Sequence, residues 1–141
     1  MPEHVPSLIY WDSSAVLSAL FKDSHSRVAT EWASKGAYHL ISSLAYAETC
    51  SVISRMKRER ILGDEAIDIV VDALDGGPWH HLNLSPDREI VRALTMKWSL
   101  RGADLWHLAT AKTLQIKLPE IYLLTFDGLL EVAARGEGLV R

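Results

Sequence analysis

Four acidic residues stand where a lone carboxylate is hard to explain: Asp12, Glu48, Asp104 and Asp127. Oxygen-only donors select hard divalent cations such as Mg2+ or Mn2+, and Mg2+ bound in this way keeps coordination positions for phosphate oxygens. The chemistry that such a set points to is phosphoester hydrolysis.

Asp12 directly follows the apolar run Leu8-Ile9-Tyr10-Trp11, and Asp127 comes shortly after the apolar run Tyr122-Leu123-Leu124 and the polar Thr125, a second strand-then-acid arrangement. Glu48 lies four residues after Leu44 and four before Val52, a spacing that places it on the apolar stripe of a helix. Asp104 falls in the first turn of a helix opened by Gly102, where the helix dipole favours negative charge. Capping alone would account for Asp12, Asp104 or Asp127 singly, but Glu48 has no cap role, and a buried carboxylate needs a partner. Two carboxylates about 5 Å apart repel by roughly 3 kcal/mol at an effective dielectric near 20, so a gathered set calls for a cation.

Of the 18 acids, Glu65, Asp68, Asp72 and Asp75 have a plainer reading: they recur at helical spacing opposite Ile67, Val70, Val71 and Leu74, as a solvated face does. His107, three residues after Asp104, offers itself as a general base, but a lone helix histidine is more often packed or hydrogen-bonded, and it is read as structural. Arg55, Lys57, Arg58 and Arg60 form the densest basic patch and are candidates for holding RNA phosphates, against the alternative of cations favoured at a helix C-terminus. The five tryptophans are read as core or interface, and none is assigned to substrate.

The elements that must position these groups alternate. Leu8–Trp11 reads as a buried strand feeding a helix through Ser13 and Ser14, and residues 38–41 as a second strand after a helix closed by Gly36. Ser42-Ser43 then cap a helix from Leu44 to about Arg60. A helix from Asp64 to about Leu74, a weak strand over 80–83, and helices from Pro86-Asp87 to about Ser99 and from Ala103 to Ile116 follow. A strand over 121–124, a short helix and a weak final strand at Leu139-Val140 complete the series. Such alternation predicts a mostly parallel sheet covered on both faces, whose ligands gather at the carboxyl ends of the strands.

The 141 residues and 15.8 kDa suit one domain spanning 1–141. A net charge of −3 lacks the broad basic signature of bulk nucleic-acid binding, so any RNA contact must be local or cation-mediated. The single cysteine, Cys50, excludes an internal disulfide and a Cys-rich zinc site; with no leader-like or bilayer-length apolar run, a cytoplasmic protein is expected.

Taken together, Trp11-Asp12-Ser13-Ser14, Ala47-Glu48, the segment from Ala103-Asp104-Leu105-Trp106-His107 to Ala111, and Leu124-Thr125-Phe126-Asp127 resemble the motifs of PIN-domain ribonucleases, above all the VapC-type toxins of toxin–antitoxin pairs. The resemblance covers essentially the whole chain. It implies a three-layer α/β/α sandwich, an Mg2+- or Mn2+-dependent endoribonuclease acting through water without a protein nucleophile, a homodimer, and a small antitoxin partner. Carried over by position, Asp12, Glu48, Asp104 and Asp127 resemble the metal-binding acids, and Ser14 and Thr125 the hydroxyls that orient them. Gly128-Leu129-Leu130 departs from the charged residue and Phe that often follow the fourth acid, so the resemblance supports one cation site better than two. Three rivals are a PIN module that binds RNA or a partner without cutting, a receiver-like Mg2+-binding domain, and an aspartyl-phosphate phosphatase. The first should have lost an acid, the second should carry paired early acids, and the third needs an Asp where Ser14 stands.

Overall fold

The computed structural model describes residues 6–141; the first five residues of the expected domain lie outside the described residues. Strands β1 (Leu8–Trp11), β2 (Tyr38–Ser42), β3 (Trp79–Leu82) and β4 (Tyr122–Leu124) form one sheet in the order β3-β2-β1-β4, with every neighbouring pair parallel. Parallel neighbours require crossovers, and helices supply them: α1 (Ser13–Leu20) and α2 (Ser26–Ala33) between the first two strands, and α3 (Ser43–Arg58) and α4 (Asp64–Gly76) before the third. Helices α5 (Arg88–Thr95) and α6 (Gly102–Gln115) precede β4, and α7 (Gly128–Gly136) follows it.

Strands β1 and β4 read as apolar runs because both their faces are covered. In β1, Leu8 and Tyr10 point into a core shared with Leu94, Leu108, Ala111 and Leu130, while Ile9 and Trp11 point into a second core with Val16, Ala45, Ile53, Val70 and Leu74. Helices α5 to α7 therefore cover one face and α1 to α4 the other, giving the three-layer α/β/α sandwich expected from the sequence.

Several expected boundaries move. Helix α5 stops at Thr95 and not near Ser99, because the chain turns there to bring Trp98 back, its indole Nε1 donating to Glu137 at 3.0 Å. Helix α3 stops at Arg58, two residues early, and Arg60 adopts φ 55, a left-handed turn conformation that ends the helix. The buried stripe of α3 is Ala45, Thr49 and Ile53, one position round from the expected Leu44-Glu48-Val52 line, so Glu48 sits at the edge of the packed face. No strand forms at Leu139-Val140; the segment only lends the Leu139 carbonyl to the Leu123 amide at 2.9 Å.

Candidate metal centre

The order β3-β2-β1-β4 means that the chain leaves β1 toward one edge of the sheet and later returns on its other side. A crevice opens outside the carboxyl ends of the strands at such a point, and Asp12 occupies it.

Asp12 is 2% exposed. Its Oδ1 accepts from the Ala15 amide at 2.9 Å, capping α1, and from the Ser14 hydroxyl at 2.7 Å. Its Oδ2 accepts from the Thr125 hydroxyl at 2.5 Å. The cap and the site are thus the same carboxylate: two donors take the lone pairs of Oδ1, while Oδ2 keeps acceptor capacity. Burial pushes this carboxyl above the usual range, against the Thr125, Ser14 and Ala15 hydrogen bonds that favour its charge.

The two hydroxyls also tie the neighbouring strand end together. Ser14 Oγ accepts from the Phe126 amide at 3.0 Å, and Thr125 Oγ1 accepts from the Asp127 amide at 3.0 Å. Asp127 in turn caps α7 through the Leu130 amide at 2.9 Å. Ser14 and Thr125 therefore each contact both Asp12 and the backbone of the Asp127 loop.

Asp104 enters from the first turn of α6, where Arg101 and not the acid holds the cap position. Burial raises its carboxyl above the usual range, and the Asp127 charge adds to this; Arg101 and His107 partly offset it, while Glu48 raises it further. Glu48 comes from α3, and its Oε1 lies 2.7 Å from His107 Nε2.

These four acids share one pocket of about 260 Å3 with Ser13, Ser14, Ala103 and Arg101. Arg101 went unnoticed in the sequence. Its guanidinium lies 3.6 Å from Asp104 Oδ2 and 3.7 Å from Asp127 Oδ2, a cation between two carboxylates. Its spacing of three from Asp104, the ordinary helix ion-pair interval, was the available signal. Its side chain is 84% exposed, so the pairing is weakly held.

His107 is buried between Tyr10 and Glu48, as its structural reading anticipated, with Nδ1 2.6 Å from the Tyr10 hydroxyl. Arg55, Lys57, Arg58 and Arg60 are exposed at the far end of α3 and do not line the pocket. None of the five tryptophans lines it either.

Among the described residues, no three His, Cys, Asp or Glu side chains converge into a ready-made coordination shell. The donor set nevertheless suits a hard ion: it is all oxygen, and an ion such as Mg2+ needs only one or two carboxylates directly, keeping several waters. Asp12, Asp104, Asp127 and Glu48 are the side chains that would hold it.

Comparison of the sequence with curated proteins found no match. Among solved structures, the fold resembles Mycobacterium tuberculosis VapC20, described as a sarcin–ricin loop cleaving toxin, with TM-score 0.60 and 16% identity over 89% of this chain and 94% of that one. It also resembles FitAcB from Neisseria gonorrhoeae, with TM-score 0.63 and 18% identity over 91% of this chain and 94% of the other. At these identities the likeness is one of fold. The sequence itself matches the PIN domain over residues 9–136, nearly the whole chain, and so the protein belongs to the PIN domain family.

Proposed function

We propose that the protein is a divalent-metal-dependent endoribonuclease, acting as the toxin of a toxin–antitoxin pair. The observation that carries the nuclease reading is the pocket of about 260 Å3 at the sheet's carboxyl edge, which collects four acids from separate parts of the chain. The toxin reading rests on the family and on the likeness in fold to VapC20, whose description names it a sarcin–ricin loop cleaving toxin.

When bound, Mg2+ or Mn2+ supplies the Lewis acid: it neutralises charge on the scissile phosphodiester and makes water a stronger nucleophile. The chain's own contribution is placement. Ser14 and Thr125 fix both oxygens of Asp12, so this acid presents Oδ2 without reorganisation. Asp104 and Asp127 are bridged by Arg101, whose exposed guanidinium is suited to a phosphate oxygen once it leaves them. Among the described residues that line the pocket there is no cysteine or histidine, and the Ser14 hydroxyl is committed to Asp12.

The partners that accompany this reading are a single-stranded RNA segment, a second copy of the chain and a small antitoxin. Among the described residues, no helix is long and apolar enough to cross a membrane.

The test is cleavage of a mixed RNA pool by the purified chain with Mg2+ or Mn2+, set against EDTA and against Asp12→Asn and Asp104→Asn. We expect ends bearing 5′-phosphate, abolished by EDTA, and at least about 100-fold less cleavage by either variant while circular dichroism stays unchanged. Undiminished cleavage by the purified variants would overturn the assignment.

A further inference from the structure

Of the four acids, Asp12 and Asp127 are fixed by backbone amides and hydroxyls. Glu48 has neither among the described residues; its hydrogen bond comes from His107 alone. A glutamate side chain left free loses much rotamer entropy when an ion captures it, so whatever holds it beforehand contributes to the site.

We infer that His107 is a positioning residue: it holds Glu48 in the pocket through its Nε2–H, while the Tyr10 hydroxyl fixes the ring from the opposite side. This rests on reading the pocket as a cation site.

The hydrogen-bond chemistry allows one consistent assignment for the neutral ring. An ionised Glu48 only accepts, so Nε2 must carry the proton, and Nδ1 is then an acceptor. At 2.6 Å from Nδ1 lies a phenol that has a proton to give. Tyr10 is fully buried, and burial pushes its hydroxyl well above the ordinary tyrosine range, so it stays a donor. The ring therefore has no free lone pair with which to serve as a general base. Glu48, which lines the pocket, commits Oε1 to the imidazole, and its Oε2 makes no hydrogen bond among the described residues.

The three residues come from three elements: Tyr10 from β1, His107 from α6 and Glu48 from α3. The chain of hydrogen bonds crosses from the sheet through one helix layer to the other, at the place where α6 also delivers Asp104. One turn of α6 thus supplies an acid and the clamp for another.

Two measurements on the full chain test this. In the metal-free protein, imidazole 15N shifts should show a protonated Nε2 and an unprotonated Nδ1 for His107. Titration with Mn2+ alone, followed calorimetrically, should show affinity weakened at least about tenfold by His107→Phe and largely restored by His107→Gln, which keeps a donor near the Nε2 position. In a Glu48→Ala background, His107→Phe should have no further effect, as expected for a residue that acts through Glu48.

Tyr10→Phe is the milder second variant, should His107→Phe fail to fold: it keeps the core volume and should shift the ring toward a tautomer mixture, with a smaller loss of Mn2+ affinity. A protonated Nδ1 in the wild type, or an equal loss of affinity with and without the Glu48 carboxylate, would overturn the inference. A wild-type chain that binds no Mn2+ would instead overturn the cation reading beneath it, while the tautomer still reports on His107 itself.

Discussion

At the scale of residues, the acids of the pocket work against the fold that holds them. Asp104 is pressed by burial and by Asp127 toward its neutral form, with Arg101 as partial relief. A carboxyl whose folded pKa is raised contributes stability that is full below the unfolded value, about 3.9, and is lost as pH rises through the folded value. At pH 7 the charged form is therefore a liability. Asp104→Asn should raise the metal-free melting temperature at pH 7, by about 4 °C for roughly 1 kcal/mol, and the gain should vanish near pH 3.5. Mg2+ should stabilise the wild type and leave this variant's melting temperature nearly unchanged. Scanning calorimetry with EDTA and with Mg2+, at both pH values, decides it; a variant less stable than wild type at pH 7 would show that capping or packing outweighs the repulsion.

Asp12 and Asp127 were legible in the sequence because each follows an apolar strand run, and they were ambiguous because each is also a helix cap. In the structure each of them caps its helix and also lines the shared pocket. The pairing of Arg101 with Asp104 had a signal in their spacing, but its reach to Asp127 did not, since nothing in a chain read linearly says that a residue beside a helix start meets an acid on another strand's loop.

At the scale of elements, the early end of α5 has a purpose visible in the contacts. The turn after Thr95 carries Trp98 against α7, where Gly136 leaves room: a Cβ there would fall 2.5 Å from the indole. Glu137, with its side chain 7% exposed, then accepts from Trp98 Nε1 at 3.0 Å and lies 3.5 Å from the ammonium groups of both Lys97 and Lys112. Burial pushes this carboxyl up, but the indole hydrogen bond and the two lysines win and hold it below its usual value. A depressed folded pKa means stability present above the unfolded value near 4.5 and lost as pH falls through the folded one. Glu137→Gln should therefore destabilise by about 1 kcal/mol at pH 7 and have little effect near pH 3. Urea titrations at the two pH values read this directly, and an equal cost at both would mean that geometry and not charge makes the clamp. Periodicity over Arg88–Ser99 carried no sign of it, because the apolar pattern continues past the point where the tertiary contact turns the chain.

At the scale of the whole molecule, alternation of apolar runs and helical segments was enough to give the sandwich and the parallel sheet, because strands joined by helical crossovers run parallel and the helices cover both faces. The strand order was not available, and it is what brings the acids to one crevice. The same architecture sets the relation between the pocket and the basic end of α3. At 1.5 Å per residue, Arg55 and Arg58 lie about 10 and 15 Å along the helix from Glu48, both exposed, on a protein of net charge −3. An RNA strand seated in the pocket and running along α3 would bring its flanking phosphates to them, whereas helix C-terminal cations with no further role would leave RNA indifferent. The double variant Arg55→Glu/Arg58→Glu should raise KM for RNA several-fold with little change in kcat. It should also reduce the salt dependence of binding by about 1.4 in log–log slope, the share of two single-strand phosphate contacts. Because these residues stand outside the pocket, Mn2+ affinity should be unchanged. Unaltered KM and salt slope would assign the patch to the helix dipole and leave the strand to run elsewhere.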